Sequence, residues 1–199
     1  MAWDLKPPAD STMKDDEVRI CSDTLKGKRV CLLLCGSIAA YKGPDIIREL
    51  RYNSAEVQAI ASKSALQFVT SMSLEWTSGN PAITNLTSDA EHLGGDKEYD
   101  IYLVAPASYN SINKCAYGIA DSTISIMLSS AIGLMESGIS QIFMIPCMHG
   151  SMHNSILTES MQKLKKMGVR FIKPRQEDGK NKLPEPKKIV EELISSLND

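Results

Sequence analysis

The chain has 199 residues, 43% of them hydrophobic and 23% charged, which suits one globular domain with its own core and requires no second domain. Its formal net charge is −2 and its pI about 6.0, and the Lys and Arg residues near the C-terminus sit among acids, so nucleic acid is not an expected partner. The first 27 residues lack a basic start followed by an apolar core, and no segment approaches the roughly 18 apolar residues of a membrane span, so neither a leader nor a membrane anchor is expected.

Residues 1–27 are polar, with Pro7-Pro8 and the charged run Lys14-Asp15-Asp16-Glu17, and read as an N-terminal extension, either an arm or a short packed segment. The domain proper is expected over 28–199. Apolar runs of strand length occupy 30–34, 57–61, 101–105 and 142–145, with a weaker one at 169–172. Helical patterns lie between them at 44–51, 65–70, 112–131 and 155–167, the last placing Leu157, Met161, Leu164 and Met167 near one face. Gly179 and Pro184 then mark a loop, a flap over about 175–186, before a C-terminal helix over about 186–197. Alternation of strand and helix predicts a single α/β domain, a doubly wound parallel sheet in three layers, with its crevice beyond the strand C-terminal ends. The five cysteines are odd in number, lie mostly in apolar runs and show no CxxC spacing, so they read as reduced thiols of a cytoplasmic protein, with no metal site indicated.

The strand ends carry the distinctive chemistry: Gly36-Ser37, Ser62-Lys63-Ser64, Pro106-Ala107-Ser108 and Pro146-Cys147-Met148-His149. Gly36 permits a turn, Ser37 offers a hydroxyl, and the N–H groups opening the following helix form an anion site. A plain turn and cap remains an equal reading of the same residues. GxGxxG and Walker patterns are both absent, which disfavours a nicotinamide dinucleotide. In "APASYNSINKCAYGIADS", Ser108, Asn110, Ser111 and Asn113 set hydroxyls and amides ahead of a helix. Asn both donates and accepts, as recognition of a heterocycle requires, although such residues are also ordinary caps.

"GSIAAYK", "PASYNSINK", "GIAD" and "PCMHGSM", in this order and at these separations, resemble the homo-oligomeric flavin-containing cysteine decarboxylases, over roughly residues 28–171. That family includes phosphopantothenoylcysteine decarboxylase and the decarboxylases of C-terminal peptidyl cysteine in lantibiotic precursors. The resemblance implies a flavodoxin-like, Rossmann-type fold holding FMN. It places Gly36, Ser37 and Ile38 near the phosphate with Ser62, and adds Ser64, Ala107, Ser108 and Asn110 as cofactor contacts. It further implies His92, Asn110 and His149 as catalytic residues, Met148, Met152 and Lys180 on the substrate side, and a homotrimer or a dodecamer of trimers. His92 matches the family's histidine of a His-x-x-Leu context, with Gly95 in place of Leu. His149 replaces the Asn of Pro-x-Met-Asn-x-x-Met, and imidazole can also donate to a carboxylate. The cysteine carried by the flap of phosphopantothenoylcysteine decarboxylases has no counterpart after Cys147.

The expected activity is therefore FMN-dependent oxidative decarboxylation of a cysteine conjugate or a C-terminal peptidyl cysteine, a carbon–carbon lyase reaction giving an enethiol. A redox or electron-transfer flavoprotein and a non-catalytic family subunit are the alternatives. The prenyl-transferring flavoproteins of the same fold are disfavoured by "GSIAAYK" at the first turn.

Overall fold

The structure is a computed structural model that describes residues 5–7, 9–93 and 98–197. In chain order it contains β1 (Arg29–Leu34), α1 (Gly43–Tyr52), β2 (Glu56–Ala61), α2 (Ser71–Ser78), β3 (Ile101–Ala107), α3 (Tyr109–Ala116) and α4 (Thr123–Glu136). There follow β4 (Gln141–Pro146), the two-residue β5 (Met148–His149), α5 (Ser155–Met167), β6 (Arg170–Phe171), the hairpin strands β7 (Arg175–Glu177) and β8 (Lys180–Lys182), and α6 (Pro186–Leu197).

Five strands form a parallel sheet in the order β2-β1-β3-β4-β6. Successive residues of β1 point to opposite faces, and both faces are covered. Val30, Leu32 and Leu34 pack with Ile46, Ile47 and Leu50 of α1, Leu74 of α2 and Ile189 and Leu193 of α6. Cys31, Leu33 and Cys35 pack with Ile112 of α3, Met127 and Leu128 of α4, and Leu157 and Leu164 of α5. Burial on both sides is why the strands read as unbroken apolar runs. The expected three-layer doubly wound sheet is what the chain forms.

Two helical expectations need correction. The 65–70 pattern is only a tight turn at Ala65–Gln67; the helix begins one residue beyond it. There Thr70 accepts the N–H of Ser73 as the cap of α2, and Gly79, at φ +73°, ends that helix. The 112–131 pattern is two helices. Gly118 takes φ +70° after α3, and Ser122 opens α4 with a capping box to Ser125. Apolar spacing continued through the break because α3 and α4 cover the same sheet face. β3 also runs two residues past its expected end, through a register shift between Val104 and Ala107.

The end of the N-terminal segment is packed rather than loose. Cys21 and Ser22 donate N–H groups to the Tyr52 carbonyl, Leu25 donates to that of Asn53, and the Leu25 side chain is buried in the α1 layer. Among the described residues no helix is long and apolar enough to cross a membrane.

Burial makes a measurable claim about the thiols. Cys21 is exposed, whereas Cys31, Cys35, Cys115 and Cys147 are buried. Loss of solvent pushes the Cys115 and Cys147 thiols up to about 12 and moves Cys31 and Cys35 the same way. A thiol reagent at neutral pH should therefore label one cysteine rapidly in the native protein and all five in denaturant. Rapid native labelling of a second cysteine, mapped by peptide mass, would contradict this packing.

Candidate functional site

The strand order reverses between β1 and β3, so the chain leaving β1 turns onto one face and the chain leaving β3 onto the other. The gap between those turns opens at the strand C-terminal edge. Gly36 forms its floor. A Cβ there would lie 2.5 Å from the Ser64 Cβ, so only glycine lets the ends of β1 and β2 approach this closely. Ser37 caps a five-residue tight turn, Ile38–Lys42, and α1 starts only at Gly43. The N–H groups expected to open the helix at this anion site therefore belong to one short turn, which adds little dipole field and leaves most of any anion affinity to side-chain donors.

The first hollow, 430 Å³, is lined on one side by Gly36, Ser62, Lys63 and Ser64, and on the other by Asn85, Ser108, Asn110, Ser111, Lys114 and the 121–124 segment. The Ser62 hydroxyl oxygen accepts the Ala65 N–H at 3.1 Å, which commits the oxygen and leaves its proton to donate. Ser108 accepts the Ser111 N–H at 3.2 Å and the two hydroxyls share one bond at 3.0 Å, so one further proton remains available. Lys114 donates to both Asp121 carboxylate oxygens at 2.7 Å. That hydrogen bond holds the Asp121 carboxyl below its usual range. Asn113 faces elsewhere: its amide donates to the Tyr109 carbonyl and accepts from Ser160 at 2.7 Å, tying α3 to α5. Hydroxyl donors, a lysine and a glycine floor suit a phosphomonoester, and the surrounding amides suit a heterocycle.

The second hollow, 420 Å³, lies across the Gly36-Ser37 turn. Ser37, Ile38 and Tyr41 line one side, and Met148, His149, Arg175, Lys180 and Lys182 the other, with Lys42 at its base. No carboxylate belongs to this lining among the described residues. Acids stand outside it: Glu185 pairs with Lys42 at 3.2 Å, and Glu177 with Arg175 at 3.0 Å and Lys182 at 3.1 Å. His149 Nδ1 accepts the Ser151 N–H at 3.2 Å, which leaves Nε2–H of the neutral ring as the donor.

The β7–β8 hairpin covers this hollow and is fastened to β5 by antiparallel pairing of Met148 with Asn181 and His149 with Lys180. Gly150 extends the seam, donating its N–H to the Gly179 carbonyl at 2.9 Å, and a Cβ at Gly150 would lie 2.5 Å from that oxygen. The buried Asn181 adds a hydrogen bond to His153 Nδ1 at 2.9 Å.

Of the residues singled out from sequence, Gly36, Ser62, Ser64, Ser108 and Asn110 meet in the first hollow, and Ser37, Ile38, Met148, His149 and Lys180 in the second, which parts Ser37 and Ile38 from the phosphate contacts with which the resemblance grouped them. Three stand apart. Ala107 is buried in β3, its carbonyl accepting the Cys147 N–H. Met152 is partly exposed on the 150–152 turn. His92 sits on the 91–93 turn against α4, its Nδ1 shielded and without a partner among the described residues. Gly95 lies outside the described residues. Sequence reasoning missed Lys63, Asn85, Lys114, Asp121, Lys42, Arg175 and Lys182 as site residues. Four of them carried a signal: Lys42, Lys114 and Asp121 are the last residues of the quoted "GSIAAYK", "PASYNSINK" and "GIAD", and Lys63 lies in the Ser62-Lys63-Ser64 strand end.

The family described as Flavoprotein matches residues 18–198. The chain is 37% identical over 182 residues to the coenzyme A biosynthesis bifunctional protein CoaBC of Thermococcus kodakarensis, covering 89% of this chain and 44% of that protein. It is 30% identical over 155 residues to the probable phosphopantothenoylcysteine decarboxylase of Streptococcus mutans, covering 74% of this chain and 83% of that one. The chain spans less than half the length of the bifunctional relatives it matches. A solved PPC decarboxylase complexed with pantothenoylaminoethenethiol superposes with a TM-score of 0.70 at 24% identity, over 86% of this chain and 99% of that one. This likeness establishes the flavodoxin-like, Rossmann-type fold.

The Gly150 seam can be tested directly. Gly150→Ala forces the added methyl against a backbone oxygen, a misfit of about 1–3 kcal/mol that falls on the hairpin alone, so native trypsin cleavage at Lys180 and Lys182 should rise roughly five- to a hundredfold. Unchanged cleavage would show that this contact does not hold the hairpin down.

Proposed function

The chain belongs to the Flavoprotein family, and on that premise we propose that it is an FMN-dependent oxidative decarboxylase of a cysteine conjugate, a carbon–carbon lyase releasing an enethiol. The observation that carries this reading is the pair of hollows sharing the Gly36-Ser37 wall: one a hydroxyl-lined cradle with a glycine floor, the other cationic and covered by a hairpin. In the first, Gly36, Ser62, Ser64 and Lys63 receive the phosphate of FMN, and Ser108 and Asn110 hydrogen-bond its ring system. Bound there, FMN supplies the two-electron sink for oxidation of the cysteine side chain to a thioaldehyde-like species, from which the adjacent carboxylate leaves as carbon dioxide.

The protein's own groups do the rest. His149 Nε2–H binds the substrate carboxylate, in the place where the family carries Asn. Ser37 and Met148 close the wall around the cysteine, and the hairpin keeps water from the reacting carbon. Lys42, Arg175, Lys180 and Lys182 bring four cations to this lining against the three acids Glu177, Asp178 and Glu185 that pair with them from outside, and that excess favours a phosphorylated conjugate such as phosphopantothenoylcysteine over an uncharged peptide tail. No hairpin cysteine is present to help in reducing the enethiol, so the enethiol is the released product, and an external electron acceptor such as dioxygen takes the two electrons before the next turnover.

His92 handles the thiol proton in this reading, yet it lines neither hollow of its own subunit. A homotrimer, or a dodecamer built from trimers, brings the His92 of one copy to the cationic hollow of another. The exposed Ile38 and Tyr41 beside that hollow and the exposed Leu93 beside His92 support such a contact. The cytoplasm is the proposed location, consistent with five cysteines free of disulfides. His149 in place of Asn also favours a second reading, an electron-transfer flavoprotein without decarboxylation.

The deciding experiment incubates the FMN-loaded protein with phosphopantothenoylcysteine and, separately, with a peptide ending in cysteine. Mass analysis should show loss of carbon dioxide and two hydrogens from the first far faster than from the second. A yellow protein that alters neither supports the electron-transfer reading. Light scattering should report a trimer or a multiple of it; an FMN-loaded monomer would remove the role given to His92. Ser62→Asp keeps an oxygen to cap the Ala65 N–H but sets a carboxylate against the phosphate. At about 1–4 kcal/mol for two charges about 4 Å apart, FMN affinity should fall at least about fivefold with folding unchanged.

A further inference from the structure

The wall of the first hollow contains one ion pair to which the reading above gives no task. Lys114 stands in the last turn of α3, and Asp121 immediately precedes the Ser122 cap of α4. The ammonium donates to both carboxylate oxygens at 2.7 Å, with the lysine side chain 24% exposed. Asp121 is braced from behind: its N–H donates to the Ser125 hydroxyl at 3.0 Å, and that hydroxyl lies 3.3 Å from Oδ1. The Lys114 carbonyl accepts the N–H groups of Tyr117 and Ile119, so the α3–α4 connection is closed by backbone bonds as well. The loop thus has anchors that do not require the ammonium. What the ammonium alone provides is cancellation of the Asp121 charge at the hollow's edge.

Charge at that position bears on a flavin in a specific way. Two-electron reduction to the anionic form adds one negative charge to the ring system. A net negative wall therefore disfavours the reduced form relative to the oxidised one, a net positive wall favours it, and a neutral pair does neither.

We propose that Lys114 and Asp121 are a positioning pair that keeps the α3–α4 side of the flavin hollow, across from Lys63, electrically neutral and thereby tunes the reduction potential of the cofactor. This inference rests on the reading of the first hollow as the FMN site. Lys114 offsets Asp121, and Asp121 in turn, through Ser125, keeps the start of α4 against the hollow.

The test compares midpoint potentials of FMN-reconstituted variants by dye-referenced spectroscopic titration, which needs no turnover. Lys114→Met leaves a lone carboxylate and should shift the two-electron equilibrium towards oxidised flavin by at least about tenfold, about 30 mV. Asp121→Asn leaves a lone ammonium and should shift it in the opposite direction by a similar factor. The double variant and Lys114→Arg should both return to within about threefold of wild type. A clamp acting only on loop structure predicts same-sign shifts for the two single variants and a double variant no better than either, and that pattern would overturn the proposal. Should Lys114→Met fail to hold FMN, Asp121→Asn decides alone, because Asn still accepts from Ser125: a fall or no change in its potential overturns the proposal. Failure of the wild-type chain to bind FMN would remove the site reading and this inference together, whereas FMN binding with same-sign shifts would remove this inference only.

Discussion

β1 is paired in parallel on both sides, to β2 through Arg29–Glu56 to Leu34–Ala61 and to β3 through Val30–Ile101 to Leu33–Val104. This double pairing is the constraint on which the rest of the molecule depends. A strand hydrogen-bonded on both edges and covered by helices on both faces exposes polar backbone only at its ends. Because the chain reaches β2 and β3 on opposite sides of β1, the connections must part at the C-terminal edge, and the first hollow is the space between them. Its location follows from topology before any particular side chain is considered.

The Gly36-Ser37 turn then divides the edge into two electrostatic regimes. On the Gly36 side the cations are a lysine after β2 and a lysine already paired with an acid, and the remaining donors are neutral hydroxyls and amides. On the Ser37 side the cations converge and their acidic partners lie outside the lining. The α3–α4 side of the first hollow, neutral through its ion pair, suits a redox ring whose charge changes during the reaction, while the lining cations of the second suit an anionic substrate. Glu177 and Glu185 at the outer surface join the hairpin and the start of α6 to the Lys42 turn, and they offset part of the positive charge that lines the hollow.

The hairpin illustrates how a short segment becomes a wall. Three residues in each strand would be marginal in water alone. Here the two-residue β5 supplies a third strand, Gly150 permits backbone contact with Gly179, and the buried Asn181 reaches His153. The segment immediately after the main sheet's fourth strand therefore serves both as a side wall of the second hollow and as the anchor of its cover.

The sequence by itself determined the architecture, because its physical signals are local. Parallel strands buried on both faces are continuous apolar runs, and a strand end with Gly36 or a capping Ser62 or Ser108 shows itself within a few residues. A helix runs over Pro186–Leu197 after Pro184, but the stretch ahead of it, which reads in sequence only as a loop or flap, forms the β7–β8 hairpin. The boundary between α3 and α4 was not legible, since apolar periodicity passes over a left-handed Gly118 and a Ser122 cap when both flanking helices cover one face. Tertiary structure alone decided which charges meet. Lys114 and Asp121 are joined by a loop whose path depends on Gly118, and Lys42, Arg175 and Lys182 gather around one hollow from opposite ends of the domain. Such convergence is a property of the folded path, not of any window of sequence. The same holds for His92: its type and spacing are visible in the chain, but that it lines neither hollow appears only once the turn at 91–93 is packed against α4.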